Sequence, residues 1–346
     1  MAAVALALTG PRTVALVEEP TRPLGPGEVR LRTLLSGVSG GTELAAYRGS
    51  IPFLTKAWDA ERRIFGPGPP LTFPLTRWGY EEVGEVVEVG PGVAMPLGTR
   101  VFGTWGHRSE HIAAADWAAE QQLPAETDPA LGVFSHIGAT ALNGALDAAP
   151  RLGETAAVFG LGVLGQLVAQ LLRLTGAQVI AVEPLPLRRE IARSLGSEIL
   201  VDPVVTTVAE RIRELTDARG ADVCLEVSGV AAALHEAVRS CAYASRVVAL
   251  GFYQGGAAAL RLGEEFHHNR IALISSQIGG LAPELSPRWS RRRLVETFMQ
   301  LALEQQVRCT DLITHRVPVA DAAALFRLLD EEPGEVLQAV LDFGPA

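Results

Sequence analysis

Thr155-Ala156-Ala157-Val158-Phe159-Gly160-Leu161-Gly162-Val163-Leu164-Gly165-Gln166 decides how this chain is read. Its first five residues form a short apolar run with strand character. An apolar helical segment, 166–174, follows three glycines spaced G-x-G-x-x-G. Gly160 permits the tight turn from strand to helix, Gly162 lets a pyrophosphate approach the backbone, and Gly165 lets helix and strand pack closely. Val163 and Leu164 open the helix, where unpaired N–H groups and a partial positive charge face the phosphates. A second strand, 178–182, ends in Glu183, about 20 residues past the turn, where a carboxylate for the ribose hydroxyls is expected. The stretch predicts a dinucleotide site. The alternative is a structural β-turn-α in another doubly wound fold.

Beyond this stretch, strands and helices alternate. A helix over 187–195, a strand at 199–201, a helix over 208–216 and a strand at 221–227 come next. A helix over 231–242 and strands at 246–250 and 271–275 complete the series. Such alternation predicts an α/β domain with a doubly wound parallel sheet, covered on both faces. Ser228-Gly229 and Gly251-Phe252, at the ends of two of these strands, are expected to line the cofactor cleft. Upstream, short strands at 14–17, 28–34 and 83–89 are separated by Pro- and Gly-rich turns, which predicts a β-rich N-terminal domain. The segment 48–74 is rich in proline and glycine, and reads either as a lid or as a tolerated insertion. The tail holds a helix over 291–304 and a last helix-strand pair ending at Phe343, and its composition suggests a return to the first domain. The expected division is 1–130, completed by 280–346, and 131–279.

Composition bounds the function. The chain has 346 residues, enough for two domains with large cores. A net charge of −9 argues against nucleic acid or an anionic membrane surface as partner. Lys56 is the only lysine, so Schiff-base chemistry is not expected. The three cysteines, Cys224, Cys241 and Cys309, form no C-x-x-C pair and suggest a reduced, cytoplasmic setting. The apolar start, 1–8, is too short for a signal peptide, and no run of about 18 apolar residues reads as a membrane span.

Three features then point to one family. They are Gly79-Tyr80-Glu81-Glu82-Val83-Gly84-Glu85-Val86-Val87-Glu88-Val89-Gly90, the Gly160 turn, and Gly220-Ala221-Asp222-Val223-Cys224-Leu225-Glu226-Val227-Ser228-Gly229. Over nearly its whole length the chain resembles the medium-chain dehydrogenase/reductase (alcohol dehydrogenase-like) superfamily. The resemblance implies a GroES-like catalytic domain, a Rossmann domain, a catalytic cleft between them, and NAD(P)-dependent hydride transfer on a small molecule. It also implies a homodimer or homotetramer. Thr140 falls where the family places a threonine near the nicotinamide. Short motifs, among them Ser36-Gly37-Val38-Ser39-Gly40-Gly41-Thr42-Glu43 and Phe266-His267-His268-Asn269-Arg270, resemble a sub-branch that includes bacteriochlorophyllide hydroxyethyl dehydrogenases.

The departures concern zinc. Zinc-dependent members carry G-H-E where this chain has Gly79-Tyr80-Glu81, and a cysteine where it has Ser39 or Gly40. His136 is the one good metal ligand left at a family ligand position, and no cysteine precedes Cys224 to build a structural zinc lobe. Zinc takes about four ligands from Cys, His and carboxylate, and one histidine with Glu43 or Glu81 is too few. His107 or His111 would change this only if the fold brought one in. Without metal, a hydrogen-bond donor must polarise the reacting oxygen. Tyr80 and His136 are the candidates, with Ser39 and Thr42 as a relay and Glu43 or Glu81 as orienting groups. The alternative for Tyr80 is a packing residue in the vacated metal cavity.

The expected reaction is interconversion of a secondary alcohol and a ketone. The alternatives are a bacteriochlorophyllide-type dehydrogenase, a C=C (quinone or enoyl) reductase, and a non-catalytic nucleotide sensor. Glu183 favours NAD, whereas an arginine at 188 or 189 would favour NADP. His267 and His268 are adjacent, so on a strand they would point to opposite sides and form no ligand pair.

Overall fold

The computed structural model describes residues 2–68 and 71–344. Its elements, in chain order, are β1 (Ala3–Gly10), β2 (Thr13–Glu19), β3 (Glu28–Val38), α1 (Thr42–Arg48), β4 (Ala57–Asp59), β5 (Ile64–Gly66), β6 (Glu82–Val89), β7 (Arg100–Gly103), β8 (Glu110–Ala114), α2 (Ala115–Glu120), α3 (Ser135–Ala148), β9 (Thr155–Phe159), α4 (Val163–Leu174), β10 (Gln178–Val182), α5 (Pro186–Ser194), β11 (Ile199–Val201), α6 (Val208–Leu215), β12 (Ala221–Glu226), α7 (Ala231–Ser240), β13 (Cys241–Ala249), β14 (Ala272–Ser275), α8 (Arg291–Leu303), β15 (Ile313–Pro318), α9 (Ala322–Glu331) and β16 (Gln338–Asp342). The chain divides into two compact units, Met1–His136 with Ile313–Ala346, and Ile137–Leu312.

The first unit is built on a sheet in the order β15-β16-β3-β6-β7, with β8 also paired to β3. Strict alternation makes β3 its spine. Val29, Leu31, Thr33 and Leu35 are buried, whereas Arg30 and Arg32 face outward and pair with Glu88, Glu110 and Glu85 on neighbouring strands. The C-terminal strand β16 runs antiparallel to β3, with Val340 opposite Gly37 and Leu341 opposite Ser36. A core of Leu6, Leu8, Leu44, Tyr47, Leu325, Phe326 and Leu341 joins β1, α1, α9 and β16. The segment 48–74 holds the β4–β5 hairpin, where Phe65 packs against Phe53 and Trp58 with ring centroids 5.4 and 5.1 Å apart. Pro69 and Pro70 of that segment lie outside the described residues.

The second unit has a six-stranded sheet in the order β11-β10-β9-β12-β13-β14, parallel throughout. The strand order reverses between β9 and β12, a switch point of the doubly wound fold. All five residues of β9 are buried, as expected of a strand covered on both faces.

The tail departs from the expected division, because the chain returns to the first unit at Ile313, not at 280. Packing explains this. A Cβ at Gly138 would meet the Phe298 ring at 2.0 Å, so α8 lies directly on α3. Arg308 donates from its backbone N–H to Gln170 Oε1 at 2.8 Å and from its guanidinium to the Ser194 carbonyl at 3.1 Å. The first boundary falls at 136/137.

Candidate active site

In the second unit the three glycines are held by what surrounds them. Gly160 has φ +96°, a left-handed conformation, and a Cβ on it would sit 2.8 Å from Ser228 Cβ. A Cβ on Gly165 would lie 1.9 Å from the Gly160 carbonyl oxygen, so helix α4 approaches the turn as closely as backbone allows. Around Gly162 the space is open, and Arg188 Nη1 lies 3.9 Å from the position of an added Cβ. Gly162 caps α4 without a side-chain bond, which leaves the N–H groups of Val163 and Leu164 outside the intrahelical ladder.

The buried Glu183 carboxylate accepts from Leu161 N at 2.7 Å and Leu185 N at 2.9 Å, and so ties the end of β10 to the glycine turn. Of the two arginines considered for the nucleotide, only Arg188 is placed beside the turn. Arg189 donates to the carbonyls of Glu183 and Pro184 and pairs with Asp202 at 2.8 Å. Gln166 was not singled out from sequence, yet its buried amide bonds the carbonyls of Leu161 at 3.2 Å and Arg188 at 2.8 Å.

Ser228, Gly229, Gly251 and Phe252 also meet. A Cβ on Gly251 would be 2.2 Å from Gly229 N, and one on Gly229 would be 3.0 Å from the Phe252 carbonyl. Buried Glu226 organises them, accepting from Ser228 N at 2.8 Å, Gly229 N at 3.1 Å and the Tyr253 hydroxyl. Burial and the adjacent Glu226 push the Tyr253 phenol above its usual range. Thr140 lies on α3, with part of its surface accessible.

In the first unit the catalytic candidates gather at the C-terminal end of β3. Tyr80, Ser39, Thr42 and His136 keep part of their surface accessible, whereas Glu43 and Glu81 are buried behind them. The Tyr80 hydroxyl donates to Ser39 Oγ at 2.7 Å and also bonds Thr42. The His136 ring lies 5.0 Å from the Tyr80 ring. Ser39 N donates to Glu43 Oε1 at 2.9 Å. Glu81 turns inward, where Gln338 Nε2 donates to its Oε2 at 3.2 Å, and a Cβ on Gly37 would collide with that oxygen at 2.4 Å.

The fold does bring in a histidine. His107, in the loop between β7 and β8, places Nε2 2.5 Å from Glu43 Oε2 and Nδ1 2.7 Å from Ser36 Oγ. Ser36 in turn donates to Glu82 Oε1 at 3.1 Å, and Trp105 N donates to Glu82 Oε2 at 2.6 Å. From sequence His107 was weighed only as a metal ligand the fold could bring in, and Ser36, Glu82 and Gln338 were not singled out for this site. The only signal available was polar residues breaking apolar strands. His111 lies apart, stacked on Trp105, and burial with Arg108 and Arg77 nearby lowers its pKa to about 4. His267 and His268 occupy a short exposed helical turn, not a strand, and their rings meet edge to face.

Burial sets the protonation. It raises the Tyr80 phenol above its usual range, helped by the charges of Glu81 and Glu43 and opposed by the bonds to Ser39 and Thr42. Burial raises Glu81 well above the carboxylate range, with Glu43 and Glu82 adding to the effect. Glu82 is also raised by burial, against the pull of His107 and of backbone N–H groups. For His107 burial disfavours the charged ring, but Glu43 and Glu82 together outweigh it and the net shift is upward. The site therefore presents a protonated phenol at its open side.

A family profile described as zinc-binding dehydrogenase matches residues 163–292. D-guloside 3-dehydrogenase of Escherichia coli is 31% identical over 98% of this chain and 99% of its own length. (R,R)-butanediol dehydrogenase of Bacillus subtilis is 29% identical over 88% and 89%. A protein of Escherichia coli CFT073 described as a short chain alcohol dehydrogenase, solved in complex with NADH, superposes with a TM-score of 0.77 at 18% identity, over 99% of this chain and 100% of that one. The match to the guloside enzyme runs almost from end to end, and the fold has the β-rich unit and doubly wound sheet expected of such enzymes. This chain belongs to the medium-chain dehydrogenase/reductase superfamily of alcohol dehydrogenase-like proteins and is an NAD(P)-dependent alcohol oxidoreductase.

Proposed function

We propose that this enzyme interconverts a secondary alcohol and a ketone without a catalytic zinc, using Tyr80 as the hydrogen-bond donor to the reacting oxygen. The observation that carries the reading is the donor set. By the resemblance, Ser39 or Gly40, Tyr80 and His136 stand where zinc-dependent members place their ligands, and of these only the histidine is a good zinc ligand. A phenol and an alcohol are poor zinc ligands beside the thiolate, imidazole and carboxylate that zinc ordinarily takes. Among the described residues, no group of three or more His, Cys, Asp or Glu is arranged to hold a metal ion. The residues present do not fit a zinc centre, and no step is assigned to one.

The glycine turn fits a dinucleotide. Val163 and Leu164 would offer N–H groups to its phosphates, Glu183 its carboxylate to the ribose, and Arg188 its guanidinium beside them. Glu183 favours NAD over NADP by repelling a 2′-phosphate. When bound, the nicotinamide supplies the hydride acceptor or donor.

Tyr80 does what a metal would otherwise do. Its O–H now points at Ser39 Oγ and is able to swing to a substrate oxygen, where it stabilises negative charge developing on that atom. With that hydrogen turned to the substrate, the Ser39 or Thr42 hydroxyl donates to the phenol oxygen in its place. His136 lies alongside as a second polar group for the same substrate. The guloside and butanediol relatives act on secondary alcohols, which favours small polyols and glycosides as substrates. We also take the enzyme to be a homo-oligomer, as the resemblance implies, and to act in the cytoplasm, in line with cysteines that are buried and form no disulfide. No helix among the described residues is long and apolar enough to cross a membrane.

A panel of glycosides, polyols and simple secondary alcohols, offered with NAD and with NADP and followed at the nicotinamide absorbance, tests the activity. Turnover with at least one pair is expected, faster with NAD. Cofactor binding with no turnover anywhere in the panel would favour a nucleotide sensor instead.

A further inference from the structure

We propose that His107 is a positioning residue for catalysis: clamped between Glu43 and the Ser36–Glu82 pair, it fixes the carboxylate that anchors Ser39, and through Ser39 it aims the Tyr80 hydroxyl. The inference rests on the reading of Tyr80 as the donor. Two contacts hold the ring. Ser36 Oγ, which donates to Glu82 Oε1 at 3.1 Å, lies 2.7 Å from His107 Nδ1. On the other side Nε2 lies 2.5 Å from Glu43 Oε2. Both ring nitrogens are engaged, and the ring is fixed at two points.

The loop bearing His107 is fixed as well. Glu82 accepts from the backbone N–H of Trp105 and of Gly106. His107 N donates to the Trp78 carbonyl at 3.0 Å, and Leu6 N donates to the His107 carbonyl at 2.8 Å. Gly79 completes the seat, because a Cβ there would meet the imidazole at 2.9 Å. The ring thus lies flush against the backbone immediately before Tyr80, and Gly79 with φ +103° is the residue that allows it. The far oxygen of Glu43 then holds Ser39 N, and Ser39 Oγ holds the phenol. Apart from Ser39 and Tyr80 this chain is sealed from solvent, with Ser36, Glu43, Glu82 and His107 all at or below 2% exposure. A sealed, fully bonded network holds geometry more firmly than an exposed one.

Substituting His107 by Gln, Asn and Leu tests this. Glutamine reaches the Nε2 position and keeps the donor to Glu43, asparagine reaches only the Nδ1 position, and leucine keeps neither. His107→Gln is expected to hold kcat within about threefold of the unsubstituted enzyme, whereas His107→Asn and His107→Leu lose at least about tenfold with KM little changed. NADH affinity, which belongs to the other unit, should stay the same in all three. In a Tyr80→Phe background, His107→Asn should cost less than about twofold, because its effect is already spent. Equal kcat in the Gln and Asn variants would overturn the proposal even if the leucine variant fails to fold. So would a full additional loss in the Tyr80→Phe background. A Tyr80→Phe enzyme of undiminished kcat would instead overturn the reading of Tyr80 itself.

Discussion

Tyr80→Phe is expected to lower kcat by about 10²–10³-fold, the usual consequence of removing one preorganised donor from a reacting oxygen. The ring keeps its place in the substitution, since Phe fills the same volume beside His136. What goes is the O–H that now bonds Ser39 Oγ. KM for the alcohol should move little, and NADH binding in the other unit should not move. Stopped-flow rates with saturating cofactor separate the chemical step from binding. A variant with full kcat and raised KM would make Tyr80 a packing residue that fills the space a metal occupies in other members. The pH profile gives a second check. Because burial holds the phenol above its usual range, loss of its proton should not limit the rate anywhere below about pH 10.

Gly165→Ala should be nearly as damaging, in the other unit and for another reason. The added methyl would lie 1.9 Å from the Gly160 carbonyl oxygen, a backbone atom that cannot rotate away. Helix α4 would have to lift off the turn, at a cost of about 1–3 kcal/mol in stability, the ordinary range for overpacking. The N–H groups at its start would shift with it, and NADH should bind at least about tenfold more weakly. Gly162→Ala is the matched control, because the nearest atom to its new methyl is Arg188 Nη1 at 3.9 Å. That variant should unfold at the unsubstituted temperature while still crowding the dinucleotide. Fluorescence titration with NADH and thermal unfolding distinguish the two. Unchanged NADH affinity in Gly165→Ala would remove the phosphate-binding role from this helix.

The second unit was legible in the sequence because local signals suffice for it. Each strand of a covered parallel sheet is an apolar run, and the glycines sit where only glycine fits. The strand at 241–249 was read five residues short because Tyr243, Ala244 and Ser245 give no apolar pattern at its start. The first unit was half legible. Its strands alternate cleanly, and Tyr80, Ser39 and Glu43 were reached through motif positions that the fold does bring together. His107 was named only as a histidine the fold could bring in as a ligand, and its clamp was not legible because its partners Glu43 and Ser36 are 64 and 71 residues away. Glu82 read as one more charge next to Glu81, yet the two carboxylates face different partners, Gln338 for one and Trp105 with Ser36 for the other. The return of the tail was placed at 280 because composition carries no trace of Phe298 filling the space above Gly138.

The central claim is that a phenol and its anchoring network occupy the place of a metal ion. Elemental analysis of enzyme purified with zinc present throughout, paired with turnover before and after exhaustive dialysis against a chelator, tests it most directly. The account predicts less than about 0.1 zinc per chain, as a hydroxyl-dominated donor set should hold, and the same kcat after dialysis. One zinc per chain, lost together with activity and regained on adding the metal back, would contradict it.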